Sequence, residues 1–143
     1  MAIARVFFDV DNTLITWDHR LRPFAREVFA ALHAAGFELH VWSGTGRRPE
    51  VLHVHGLWPL VAGCYEKPLS RHFERLPELG VPCLPDHVVD DDEEIVSVFG
   101  GTLVSVPIEP LSEDRELLRV LDDLWRRFPP QDRPAASPAA ESD

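Results

Sequence analysis

Short apolar runs alternate with amphipathic stretches along most of this chain, and that alternation constrains the fold more than any other feature. Ala4 to Phe8 is an apolar run ending in acids, the pattern of a buried strand. Behind Pro23, whose fixed φ suits the first turn of a helix, Phe24, Val28, Phe29 and Leu32 recur at helical spacing until Gly36 stops it. Glu38 to Trp42 reads as a second strand that runs into Ser43-Gly44-Thr45-Gly46. A helix follows from Arg48 or Pro49 to about His55, then a weak third strand over Val61 to Tyr65. Ser70 is placed to cap a helix with Phe73, Leu76 and Leu79 on one face and Gly80 at its end. His87 to Val89 is a fourth strand, Glu93 to Phe99 a short helix, and Thr102 to Val106 a fifth strand. The closing helix spans Ser112 to Phe128, with Leu117, Leu118, Leu121 and Leu124 as its apolar face. Strands alternating with helices in this way predict an α/β fold built on a mostly parallel sheet.

The 143 residues suffice for one domain with a real core, expected over residues 1–128. Residues 129–143 are rich in Pro, Ala and Ser and bury too little to offset their ordering entropy, so they read as a disordered tail. No apolar stretch approaches the roughly 20 residues that span a bilayer, and without a basic region followed by a long apolar run at the N-terminus no signal peptide is expected. Cys64 and Cys83 lie too far apart for a CxxC motif and read as buried thiols in a reducing compartment, which makes the expected location cytoplasmic. The net charge of −10 argues against a polynucleotide partner, since Arg47-Arg48 is the only basic doublet near the strand ends that carry the chemistry.

Those strand ends hold four features. Asp9 and Asp11 follow the first strand, so that one carboxylate can attack while the other exchanges a proton with a leaving group. Ser43 follows the second strand at a Gly-rich turn, and the amides about Gly44 suit phosphate oxygens. Lys67, just before Pro68, is a cation able to neutralise a phosphoryl group. The run Asp90-Asp91-Asp92 offers oxygen ligands of the kind Mg²⁺ takes. In an open parallel sheet these ends line the crevice where ligands bind.

Taken in order, Phe7-Phe8-Asp9-Val10-Asp11-Asn12-Thr13-Leu14, Val41-Trp42-Ser43-Gly44, Lys67-Pro68 and Val88-Val89-Asp90-Asp91-Asp92 resemble the four motifs of the haloacid dehalogenase superfamily of phosphatases and phosphotransferases. The resemblance covers about residues 3 to 107. It implies a three-layer α/β/α sandwich with a five-stranded, mostly parallel Rossmann-like sheet, and a phosphatase acting through an aspartyl-phosphate at Asp9. By the same resemblance Asp11 is general acid, then base. Ser43, Gly44 and Lys67 bind the phosphoryl group, and Thr13 braces the loop. Mg²⁺ is held by Asp9, the Asp11 backbone carbonyl and Asp91, with Asp90 in support and Asp92 in the first turn of the next helix. Dehalogenation is disfavoured because it needs neither Asp11 nor a metal; a non-catalytic scaffold is the alternative from another class.

The intervals between motifs hold one helix each, so no cap domain fits. The resemblance is therefore to the capless subgroup, whose open sites suit a phosphorylated macromolecule, or a small phosphorylated substrate when a second copy of the chain covers the site. Trp17 either lines the mouth of such a site or packs against the sheet edge. His53 and His55, two apart on a helix, point away from each other and do not make a metal pair.

Overall fold

The first apolar run becomes β1 (Arg5–Asp9), and the two-residue period of its side chains decides how both faces of the sheet are filled. The computed structural model describes residues 2–129. After β1 come α1 (Ala25–Ala34), β2 (Glu38–Ser43), α2 (Pro49–Val54), β3 (Gly63–Glu66), β4 (His87–Asp90), α3 (Glu93–Phe99), β5 (Gly101–Leu103) and α4 (Glu116–Arg127). The five strands lie in the order β3-β2-β1-β4-β5, and every pairing among them is parallel. Phe7 stands beside His40 and Val88, and Phe8 beside Val41 and Val89.

That register sorts the core. Val6, Phe8, Val41 and Val89 pack with Phe29 of α1, Leu52 of α2 and Leu117 and Leu124 of α4. Phe7, Trp42 and Val88 point the other way and pack with Ile95 of α3 and with Leu76 and Val81. Phe7 and Phe8 are both fully buried, each stabilising the fold by about 2 kcal/mol through area alone. A one-residue slip of β1 would exchange the two sets, so both clusters fix the same register. Among the described residues no helix is long and apolar enough to cross a membrane.

Several local expectations need correction. Residues 70–80 form a series of turns, not a helix. Pro77 has no amide to donate and Arg71 turns to φ 47°, so single turns form, such as Leu79 N–H to Arg75 O (3.0 Å), without propagating. Pro23 does not open α1; Phe24 follows it at φ 73°, and the helix starts at Ala25. The fifth strand stops at Leu103, because the Ser105 amide donates to the Glu116 carboxylate (2.9 Å) in place of a strand. The closing helix is interrupted: a 3₁₀ turn at Leu111–Glu113 precedes α4, and the Asp114 carboxylate accepts from the Glu116 amide between them. The third strand lies at Gly63–Glu66, slightly later than expected. Residues 130–143, the bulk of the expected tail, lie outside the described residues.

His87 opens β4 on the side of α4. Its Nε2 faces Thr102 Oγ1 (2.8 Å), while Arg127 donates to Nδ1 (2.9 Å), which fixes the neutral tautomer with the proton on Nε2. Burial first, and the Arg127 charge second, push its pKa down to about 4. The folded state therefore holds fewer protons than the unfolded chain between about pH 6.5 and 4, and stability falls as pH drops through that window. The loss attributable to His87 is on the order of 3 kcal/mol. His87→Gln is expected to flatten this part of the stability curve, read as urea midpoints at pH 7 and pH 4.5; an unchanged slope would refute the assignment.

Candidate active site

The strand order places the crevice. The chain steps outward from β1 to β2 and β3, then returns to lay β4 on the other side of β1. The reversal between β1 and β4 is where open parallel sheets bind ligands, at the carboxyl ends of the strands. Asp9 ends β1, Asp90 ends β4, Ser43 ends β2, and Lys67 directly follows β3.

Backbone hydrogen bonds hold these ends in place. The Lys67 amide donates to Ser43 O (2.9 Å), which ties the exit of β3 to the exit of β2. After Asp9 the chain closes a tight loop in which Leu14 N–H reaches Val10 O (2.9 Å), with Asn12 at φ 63°, a conformation asparagine tolerates. The loop brings Thr13 beneath the first carboxylate. Thr13 Oγ1 donates to Asp9 Oδ2 (3.2 Å), and Lys67 Nζ donates to Asp9 Oδ1 (3.2 Å), so both oxygens of Asp9 are oriented.

Lys67 Nζ also donates to Asp90 Oδ2 (2.9 Å), while Asp90 Oδ1 accepts from the Asp92 amide (2.9 Å). One ammonium thus lies between two buried carboxylates. Burial, followed by the Asp90 charge, pushes the Asp9 pKa up to about 8 despite the opposing Lys67. Burial also raises Asp90 in the face of Lys67. For Lys67, burial disfavours the ammonium, but the charges of Asp9 and Asp90 outweigh it and hold its pKa above the usual value. Two buried carboxyl groups share one ammonium here, so a further cation beside them would favour the ionised form of both.

Asp91 completes the acidic group. Asp9, Asp90 and Asp91 each place a carboxylate oxygen within 4.8 Å of the others. All three donors are oxygens, the ligand chemistry of a hard divalent cation. Both Asp90 and Asp91 belong to the set. Asp92, expected in the first turn of the helix, stands one position before it and caps α3, accepting from the Glu94 amide (2.9 Å).

The carboxylate of Asp11 stands apart from this group. It is half-exposed and pairs with Arg48 Nη1 (2.8 Å). Ser43 Oγ lies 3.0 Å from Thr45 Oγ1 and accepts from the Thr45 amide (3.3 Å). Gly44 is covered by Leu69, whose Cδ2 would lie 2.8 Å from a Cβ at that position. Trp17 does not pack against the sheet edge: it is 83% exposed, beside a cavity of about 100 Å³ that Asn12, Thr16, Pro107 and Glu109 also line.

Two arginines matter more than the sequence indicated. The doublet Arg47-Arg48 splits, Arg47 turning back to Cys64 O (3.2 Å) while Arg48 bridges Asp11 and Thr45 Oγ1 (3.3 Å). Arg22 lies buried behind the loop, donating to Asn12 O (3.1 Å) and to both oxygens of Asp114 (2.9 and 3.1 Å). The doublet was a usable signal for Arg48. Nothing local marks Arg22, whose partner lies 92 positions away.

Together the residues supply an oriented buried carboxylate, a second carboxylate at the rim, an ammonium, hydroxyls and an oxygen donor set at one crevice. No protein-family model matches the sequence, and no curated protein does either.

Proposed function

We propose that the chain is a Mg²⁺-dependent phosphomonoester hydrolase, a capless member of the haloacid dehalogenase superfamily working through an aspartyl-phosphate at Asp9. The observation that carries this reading is the contact of Lys67 Nζ with both Asp9 and Asp90 at the reversal of strand order. The three-layer, Rossmann-like description of the fold belongs to the same reading. It is supported by the order β3-β2-β1-β4-β5 and by apolar clusters on both faces of the sheet.

In the proposed reaction a carboxylate oxygen of Asp9 attacks phosphorus, and the bond from phosphorus to the leaving oxygen breaks. Asp11 gives its proton to that oxygen. Water then attacks the phosphorus, Asp11 takes the proton from the water, and the bond to Asp9 breaks to release inorganic phosphate. Lys67, with the amides of the Ser43-Gly44 turn and the Ser43 hydroxyl, balances the charge on the transferring group. Thr13 keeps Asp9 aimed. Asp9, Asp91 and the Asp11 backbone carbonyl are the proposed Mg²⁺ ligands, with Asp90 supporting. The metal supplies the positive charge that lets an anionic carboxylate approach an anionic phosphate.

Asp11 reaches the reaction by leaving its pairing with Arg48, whose guanidinium keeps Thr45 Oγ1 and Glu50 (each at 3.3 Å) as partners at the rim. The segment between β2 and β3 is occupied by α2 and a 3₁₀ turn at Trp58–Leu60, which supports an open, capless mouth. A phosphorylated substrate therefore meets the rim formed by Trp17 and Arg48, unless a second copy of the chain covers it.

The assay is direct. Purified protein with Mg²⁺ is expected to release phosphate from p-nitrophenyl phosphate, with EDTA lowering the rate to background and Mg²⁺ restoring it. A rate indifferent to EDTA would overturn the metal role, and no release from a broad panel of phosphorylated metabolites would overturn the phosphatase reading.

A further inference from the structure

At the opposite end of the sheet, a second group of ligating side chains converges with no role in the proposed hydrolysis. Glu38 and His40 stand two apart on β2 and so share a face. Glu38 opens the strand, His40 follows it by two and Ser43 ends it, which sets the two ligands back from the Asp9 crevice by about 16 and 10 Å along the strand. Cys83 reaches the same place from the turn before β4. That turn is pinned by the Asp86 amide to Arg5 O (2.9 Å) and the Arg5 amide to Asp86 Oδ2 (2.8 Å). Expected to be buried, Cys83 is only partly so.

We propose that Glu38, His40 and Cys83 bind a borderline-soft divalent cation such as Zn²⁺ through one carboxylate oxygen, Nε2 and Sγ. The three ligand atoms lie within 4.8 Å of one another, with His40 Nε2 2.9 Å from Glu38 Oε1 and 3.9 Å from Cys83 Sγ. Bond lengths in tetrahedral zinc sites place neighbouring ligand atoms roughly 3.3–3.6 Å apart, between these two separations. Sulfur and imidazole donors select Zn²⁺ or Co²⁺ over Mg²⁺, so this site and the acidic crevice divide metals by chemistry.

An independent feature orients the central ligand. His40 Nδ1 lies 3.0 Å from the Tyr65 hydroxyl, a hydrogen bond on the far ring nitrogen that can orient the imidazole as outer partners do in metal sites. Tyr65 reaches that position only because residue 63 is glycine: a Cβ there would lie 1.9 Å from the hydroxyl oxygen. The His40 ring is clamped by Phe7, stacked at 4.5 Å and 12°. Rigid support on both sides of the imidazole limits what ordering the site would cost on binding.

The protons balance. Burial raises the Cys83 pKa, so the thiol is protonated at neutral pH, and burial lowers that of His40, so the imidazole is neutral. Without metal, Nε2–H donates to Glu38 and Nδ1 accepts from Tyr65. On binding, the imidazole proton moves to Nδ1 and donates to the Tyr65 oxygen, and the Cys83 proton leaves to solvent. One proton is released per cation. Arg5 Nε lies 3.2 Å from Glu38 Oε1, and a carboxylate with two oxygens can keep that contact while giving one lone pair to a cation.

Cobalt(II) chloride added to the full-length, chelator-treated protein tests this. A thiolate-to-Co²⁺ charge-transfer band is expected in the near ultraviolet, saturating at one equivalent and lost in Cys83→Ser. The band is expected to persist in Asp9→Asn and in Cys64→Ala, and His40→Gln is expected to weaken Co²⁺ binding at least tenfold. In weakly buffered solution about one proton should appear per Zn²⁺ bound. Absence of the band in the wild type, or its survival in Cys83→Ser, overturns the proposal, whatever the phosphatase assay gives.

Discussion

Asp9→Asn is expected to lower phosphate release by at least about 10³-fold while leaving the fold intact, the signature of a lost nucleophile. The amide keeps the shape of the carboxylate: its oxygen can accept from Lys67 Nζ while its NH2 donates to Thr13 Oγ1, the two groups that now lie 3.2 Å from the Asp9 oxygens. Lys67 is not orphaned, because Asp90 remains 2.9 Å from its Nζ. A buried charge disappears from a site where burial and Asp90 already strain it, so the thermal midpoint of the metal-free variant should equal or exceed that of the wild type at pH 8. The two readouts together separate chemistry from stability. Activity and midpoint falling together would mean that Asp9 is structural, and a variant with wild-type activity would remove Asp9 from the reaction. The contrasting change is Lys67→Met. It leaves Asp9 and Asp90 facing each other with no counter-charge, so its midpoint should fall at pH 8 and recover on adding Mg²⁺.

The parts of the site legible in the sequence are those whose position follows from strand ends. Asp9, Ser43, Lys67 and Asp90 each close or directly follow an apolar run, and parallel pairing then aligns those ends in one crevice. Helices α1 and α4 are likewise visible as amphipathic periods, with errors at their ends, while α3 lies at Glu93–Phe99 as expected. Those errors have local causes: the left-handed Phe24 delays α1, and the Asp114 carboxylate splits the closing segment. Residues 70–80 carry apolar spacing compatible with a helix, yet Pro77 and Arg71 stop it from forming, and only Leu76 of the three expected face residues is buried. Spacing alone misleads there because it does not weigh a missing amide.

Side-chain partners are a different matter. The pairing of Asp11 with Arg48, rather than with Asp9, depends on how the β2–α2 turn is drawn across the rim. The choice between Asp90 and Asp91 as the metal ligand depends on which way each carboxylate points at the end of β4. Asp90, fully buried, turns to Lys67 and the Asp92 amide, and both acids still lie within reach of one cation. Contacts between distant segments have no periodicity to read, and Glu38, His40 and Cys83 likewise come together only through the tertiary fold.

Arg22→Met is expected to be the most destabilising of the single substitutions considered, by roughly 3–5 kcal/mol. Arg22 and Asp114 are 1% and 2% exposed, and the guanidinium bonds both carboxylate oxygens while also reaching Asn12 O, Thr13 O (3.4 Å) and Ser105 O (2.6 Å). Burial raises the Asp114 pKa, but the Arg22 hydrogen bond and the amides of Glu116 and Ile108 outweigh it and hold the carboxyl below its ordinary range. Met replaces the stem and leaves that charge buried with two amides alone, while three backbone carbonyls lose their donor. Against a total stability of about 5–15 kcal/mol, the thermal midpoint should fall by about 10 °C or more. The double variant Arg22→Met, Asp114→Leu removes the stranded charge and should recover part of the loss, which makes the pair strongly non-additive in a mutant cycle. Because Arg22 holds the carbonyls of Asn12 and Thr13, turnover in the double variant should stay below wild type even at temperatures where it is fully folded. A loss under about 1 kcal/mol in the single variant, with turnover unchanged, would show that the ion pair neither holds the domain together nor steadies the loop beneath Asp9.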